Sequence, residues 1–196
     1  NDSENEPFCS GSADIRDFCD MDQFEKVMKD WATCTGLATV AVGPDGKYIS
    51  ECYNFTEFCR DLTRKSPKGL HSCIECDLTG SGTYLCHAGL VDFSAPITLN
   101  DGTLLGRIIG GQVLPEKPDE TKFREKAREF GIEEETYLRA LHKVNIRSHE
   151  EIQASADLLA NVINMFVRTS YAARKNEASL TKRAGIISSL SKIYFC

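Results

Sequence analysis

The 196-residue chain has no uninterrupted apolar run near the roughly 18 residues that a membrane-spanning helix needs. Even Leu158 to Val167 is broken by Asn161 and Asn164, so no membrane segment is expected in this piece. Basic excess is missing too. Lys and Arg number 23 against 29 Asp and Glu, a net charge of -6, which opposes the positive surface that a phosphate backbone requires and argues against direct nucleic-acid binding. There is no Walker loop, and Gly106-Arg107-Ile108-Ile109-Gly110-Gly111 lies in a strand pattern without the following helix that a phosphate cradle needs. Internal repeats and low-complexity segments are absent as well. The start at Asn1 without Met, and an end inside an apolar helical pattern, read as a piece of a longer protein.

What is present is enough for one core, with 41% hydrophobic residues. Nine cysteines are many for this length, and their odd number argues against a fully paired extracellular framework. Reduced thiols and a cytoplasmic location are expected. Cys34 and Cys52, in apolar contexts, read equally well as small buried hydrophobes.

Residues 1–20 read as an N-terminal arm without a motif. Phe24, Val27, Met28 and Trp31 fall at helical spacing, and that helix ends before Gly36. Leu37 to Val42 and Lys47 to Cys52 flank Gly43-Pro44-Asp45-Gly46, which predicts a β-hairpin. Asn54 with Glu57 predicts a capped helix, and Ser66-Pro67 a second helix start. From Thr83 to Leu99, alternation at Val91, Phe93, Ala95, Ile97 and Leu99 predicts a strand with one buried face. Asn100-Asp101-Gly102 turns into another strand, Thr103 to Leu114. Gly106, Gly110 and Gln112 share one of its faces, where a helix or a ligand is expected close to the backbone. Helices are predicted over Asp119 to Phe130 and Glu133 to Lys143. Ser148 with Glu151 caps the longest helix, whose seam through Ile152, Leu159, Val162 and Phe166 fades and returns at Leu180, Ile187 and Leu190. Hairpin-linked strands beside helices define an α+β class with an antiparallel sheet.

Chemistry concentrates in the cysteines. Cys73-Ile74-Glu75-Cys76 puts two thiols on one side of a helical turn, with Cys59 before them and Cys86 after. The four could hold zinc as a structural tie or an iron–sulfur cluster as a redox or oxygen sensor; buried free thiols and a redox dithiol remain open alternatives. Cys86 and His87 are the obvious thiol and base. Read as adjacent strand residues they point to opposite faces, which argues against a cysteine hydrolase.

Five stretches occur in order: Asn54-Phe55-Thr56-Glu57-Phe58-Cys59-Arg60, Cys73-Ile74-Glu75-Cys76-Asp77, Cys86-His87-Ala88-Gly89-Leu90-Val91-Asp92-Phe93, Pro96-Ile97 and Gly110-Gly111-Gln112-Val113-Leu114. Together, over roughly residues 20–170, they resemble the PocR sensory domain family. The connection between Cys76 and Cys86 is shorter than is common there. The resemblance implies a PAS-like ligand-binding fold upstream of a transcription-factor, kinase or cyclase output, sensing small hydrocarbon derivatives such as diols, with no chemistry of its own. It places the cysteine motif on Cys59, Cys73, Cys76 and Cys86 and the pocket on His87 and Gln112. Trp31 and Tyr84 are expected as apolar wall. The resulting expectation is a sensor over residues 21–147, followed by a helix and linker over 148–196 that lead to an output domain and pair two copies as a homodimer.

Overall fold

The computed structural model describes residues 13–194, with side chains described for 13–190. Of the N-terminal arm, residues 1–12 lie outside that range. The remainder packs against the domain: Ile15, in the 3-10 turn Ile15–Asp17, is fully buried, and Phe18 meets Tyr171 edge to face.

Helix α1 (Met21–Thr35) starts on the Asp20 carboxylate, which accepts from the Gln23 amide, and stops at Gly36 in the left-handed region. Strand β1 (Ala38–Val42) follows. The second arm of the predicted hairpin exists only as isolated bridges, Val42 to Tyr48 and Thr39 to Tyr53. The reason is local. The Ser50 hydroxyl accepts the Ala41 amide at 2.8 Å, while the amides of Ile49 and Ser50 both reach the Ala41 carbonyl, so a regular ladder cannot form.

Asn54 does not cap a helix; its φ is +56°, and the chain bends there instead. The capping role passes to Thr56, whose Oγ1 accepts the Cys59 amide. A π-helical turn (Phe58–Leu62) and a 3-10 turn (Thr63–Lys65) lead into α2 (Pro67–Thr79), which opens on Ser66-Pro67 as predicted.

The long strand expected from Thr83 to Leu99 is two strands. Strand β2 (Gly82–Leu85) and strand β3 (Val91–Thr98) are joined by a tight turn in which the Gly89 amide donates to the Cys86 carbonyl and the Cys86 amide to Leu90. Strand β4 (Leu104–Val113) returns through the Asn100-Asp101-Gly102 turn. Among the described residues these strands form one antiparallel sheet in the order β1-β4-β3-β2, which is the α+β architecture expected. At Gly110 the close neighbour is the adjacent strand and not a helix. A Cβ there would lie 2.0 Å from the Ala38 carbonyl oxygen of β1.

Helices α3 (Glu120–Phe130) and α4 (Glu134–Leu141) pack with the π-helical turn around Phe58, Tyr137 and Leu141. Helix α5 (His149–Tyr194) begins with the predicted capping box, the Ser148 and Glu151 side chains bonding each other's amides. Its buried positions are Ile152, Ala156, Leu159, Ile163 and Val167. They lie against the sheet with Phe24, Met28, Trp31, Phe93 and Ile97 in the main core. The first half of the seam read from the sequence is therefore internal and is not free to pair with a second copy. From residue 172 to 190 every side chain is exposed.

Candidate functional site

The sheet has one apolar face and one mixed face, on which Val40, Val42 and Ile109 lie beside polar side chains. Alternation along β3 sends Phe93 and Ile97 into the main core, and Asp92 and Ser94 to the other side. On that other side β4 carries a bulge. Val91 pairs with Val113 and Asp92 with Gly111, leaving Gln112 as the extra residue. Gln112 has φ +55° and is only 5% exposed, so a strained backbone aims a buried amide side chain at the mixed face.

Three contacts fix this residue. The Gln112 backbone N–H donates to Asp92 Oδ1 at 2.8 Å, and the side-chain Oε1 accepts from the Thr56 backbone N–H at 2.8 Å and the Thr56 hydroxyl at 3.0 Å. The bulge thus ties the sheet to the start of the π-helical turn. Burial pushes Asp92 up to about 7; the Gln112 amide works against that shift, Asp77 adds to it, and Arg64 and the Cys86 thiol oppose it.

Arg64 approaches from the 3-10 turn and bonds Asp77 of α2 at 2.8 Å, with both side chains mostly buried. Its Nε is buried without a hydrogen-bond partner. Arg64, Asp77, Asp92 and Gln112, together with Val40, Val42, Tyr48, Phe55 and Ile109, surround a cavity of about 20 Å³, room for about one water molecule. Tyr48, at its rim, is 52% exposed.

Of the residues expected from the sequence, Gln112 lies in this cavity. Tyr84 is the cross-strand partner of Asp92 and lies on the same face, with its hydroxyl toward the Cys76 carbonyl. His87 sits in the β2–β3 turn, on the wall of a wider, open cleft of about 810 Å³ between that turn and α3. Tyr84 and Cys86 border this cleft too, and its outer rim mixes Lys117, Lys122 and Lys126 with Glu125 and Glu129. Trp31 is elsewhere. It packs edge to face on Phe93 and donates its indole N–H to the Ser155 carbonyl, in the apolar core across the sheet. It does not wall the cavity. Arg64 and Asp92 are the residues sequence reasoning missed; the one signal was an acidic side chain embedded in an apolar strand at Asp92.

The cysteines gather on this mixed side. Cys59, Cys73 and Cys86 are buried, Cys76 is half-buried, and Cys34 and Cys52 are exposed rather than buried as small hydrophobes. Cys86 and His87 lie in a turn, not a strand, and the thiol that meets His87 is Cys73, with Sγ to Nε2 at 3.1 Å. Burial pushes the Cys73 thiol up to about 11 and lowers His87, so this contact joins a neutral thiol to a neutral imidazole. Cys59 and Cys86 are likewise raised by burial. Such thiols are poor nucleophiles at neutral pH. The Cys73–His87 contact is a hydrogen bond between side chains of α2 and the β2–β3 turn. Among the described residues no three His, Cys, Asp or Glu side chains are arranged to hold a metal ion.

The sheet thus carries a small cavity on one face and a projecting helix on the other, and sequence comparison identifies the class as a sensory domain. The chain belongs to the PocR family: the model for the sensory domain found in PocR matches residues 17–171. A curated relative, the regulatory protein PocR of Salmonella typhimurium, is 41% identical over 45% of this chain and 31% of its own length. The matched segment thus spans about a third of that relative's length. No solved structure matches it. The domain's role is sensory and regulatory, and no helix among the described residues is long and apolar enough to cross a membrane.

Proposed function

We propose that the domain binds a small organic molecule in the cavity between Asp92, Gln112 and Arg64, and passes the event to an output domain through helix α5. The observation that supports this reading is the unpaired Arg64 Nε at the edge of a strained, polar bulge. A buried donor left without a partner costs about 1–3 kcal/mol. A ligand oxygen that accepts from it removes that penalty, and the Asp92 carboxyl offers a second, complementary contact. Short diols, the ligand class implied by the family resemblance, carry two oxygens that can make such a pair of contacts.

The cavity is too small for such a molecule as it stands, so binding requires the rim to open. The irregular segment around Tyr48 and the π-helical turn are the elements able to yield. A ligand that favours the open arrangement shifts the equilibrium toward it by its difference in affinity for the two. The exposed distal part of α5, with Leu180, Ile186, Ile187 and Leu190, is where two copies would pair as a homodimer and lead to the output domain. On this reading the domain is a non-catalytic input module, and it works in the cytoplasm.

Calorimetric titration with ethane-1,2-diol and butane-2,3-diol tests this. Gln112→Ala is expected to weaken binding at least about tenfold, the worth of a buried hydrogen bond or more, while Lys122→Ala and Lys126→Ala in the wide cleft leave it unchanged. The reverse pattern would move the ligand to the wide cleft.

A second reading rests on the proximity of Cys59, Cys73 and Cys86, which are close enough to feel one another's charge. In it the four thiols with Cys76 are themselves the receptor, through zinc or an iron–sulfur cluster. Iron and labile sulfide in anaerobically purified protein would favour that reading over the organic ligand.

A further inference from the structure

Strand β2 covers only part of β3. It pairs with Val91 through Ser94, and beyond that point no described strand lies along the same edge. In a strand, alternate residues direct their backbone groups to the same side, so residues 96 and 98 present theirs toward the gap. Pro96 has no N–H to leave unpaired there. The three remaining groups are met by side chains of α5. The Thr98 amide donates to Asn164 Oδ1 at 2.9 Å, and Asn164 Nδ2 donates to the Pro96 carbonyl at 3.0 Å. Arg168 donates from Nε to the Thr98 carbonyl and from Nη2 to the Thr98 hydroxyl, both at 2.8 Å. A bond from Asn164 Nδ2 to the Ala160 carbonyl, at 2.9 Å, holds the amide in orientation.

These contacts behave differently from the packing around them. Ile163 and Val167 hold α5 on the sheet through apolar contact, which is non-directional and tolerates sliding. Hydrogen bonds to the N–H and C=O of one residue fix a register to a fraction of an ångström. They also fall just before α5 leaves the domain, since side chains from residue 172 to 190 are exposed. Asp92 lies six residues back along the same strand, in the polar cavity.

We propose that Asn164 and Arg168 form a latch that carries the state of the polar cavity along β3 into the outgoing helix. The proposal rests on the sensory reading of that cavity. When the cavity opens and β3 shifts, the latch obliges α5 to follow; without it, the apolar contacts absorb the shift.

Hydrogen exchange on the whole chain tests this without a ligand, with Asp92→Asn as the perturbation of the cavity at pH 8. Leu at 164 and Met at 168 keep helix propensity and length but cannot bond Thr98. The Asn164→Leu/Arg168→Met variant is expected to speed exchange at the Thr98 amide about tenfold, the worth of one hydrogen bond. Asp92→Asn should change exchange over residues 167–174 by at least about threefold in the otherwise native chain, and not at all in the latch variant. An equal response in both backgrounds, or no response in the native one, overturns the proposal. If the double variant does not fold, Arg168→Met alone completes the same cycle. A failed diol titration would leave the latch standing, and a failed exchange cycle would leave the cavity's ligand standing.

Discussion

The two faces of the sheet are built to different standards. On the face covered by α1 and α5, Phe24, Met28, Phe93, Ile97, Ile152 and Ile163 are almost fully buried, and the one indole N–H reaches a carbonyl. On the other face lie a left-handed Gln112, an Asp92 pushed up to about 7 by burial, and the half-buried Arg64–Asp77 pair. Both buried side-chain polar atoms that lack a partner among the described residues, Arg64 Nε and Ser94 Oγ, belong to that side. The first face is closed by apolar contact, whereas the second sets buried polar groups with open bonds beside its own apolar clusters around Phe58 and Tyr137 and around Val40 and Ile109. Strain and unpaired polar groups persist only where the rest of the structure holds them.

The comparison breaks most visibly if the apolar face is weakened. Phe93→Ala removes a ring that touches Trp31 at 5.7 Å and sits at the centre of that layer. The expected loss is about 3–5 kcal/mol, read as a lower denaturant midpoint. A loss below about 1 kcal/mol would mean that the layer collapses around the cavity and is not the source of stability.

Asp92→Asn acts on the other face, with a smaller effect of opposite sign. The groups facing Asp92 are Asp77 from α2, Arg64 from the 3-10 turn, Cys86 from the turn after β2 and the Gln112 amide. An aspartate raised from 3.8 to about 7 binds its proton more tightly when folded than when unfolded. Between those values the folded state carries the extra proton, so stability falls as pH rises and levels off above about 7. The slope is at most about 1.4 kcal/mol per pH unit. Burial lowers His87, which contributes the opposite slope at lower pH, below its ordinary range. Asn keeps the acceptor for the Gln112 amide and removes the titration. The variant should therefore be more stable than the parent at pH 8 and should melt with a flatter dependence between pH 5 and 7, followed by thermal denaturation. An unchanged slope would assign the dependence to another group.

How much of this was legible depends on how local the cause is. Ser66-Pro67, Ser148 with Glu151, and Asp119 with Gly131 each mark a helix end within four residues, or bracket one helix, and all stand where the sequence put them. The Cys86 to Gly89 turn was hidden because Cys-His-Ala-Gly offers only one turn-forming residue, while apolar and polar positions alternate on both sides of it. The bulge at Gln112 was hidden for a different reason. It depends on the register between β3 and β4, which no local pattern encodes. That register puts Gln112 on the face of Asp92, the β2–β3 register puts Tyr84 there, and the packing of α1 sends Trp31 to the other face, so the site was legible as a set of names and not as a place. Arg64 left no signal at all, since its partner Asp77 lies on the next helix.

The smallest expected effect concerns the cysteines, and it sharpens the contrast between the faces. Three of the four thiols on this side have a protein partner: Cys73 meets His87, Cys86 meets the Asp92 carboxyl, and Cys59 meets the Thr56 hydroxyl. A structural zinc would contribute about 10 kcal/mol or more of folding free energy, so stripping it would lower the melting temperature by tens of degrees. On the present geometry a chelator should move it by less than about 1 °C, within what a few tenths of a kcal/mol produce in a domain of this size. Thiol titration should agree. Cys34 and Cys52, exposed, react at once with an aromatic disulfide reagent, while Cys59, Cys73 and Cys86 react only as the fold opens. A large chelator effect with slow thiols would mean that the mixed face closes on a metal, and that its incompleteness marks a missing ion; no effect leaves the open bonds at Arg64 and Ser94 for an organic ligand.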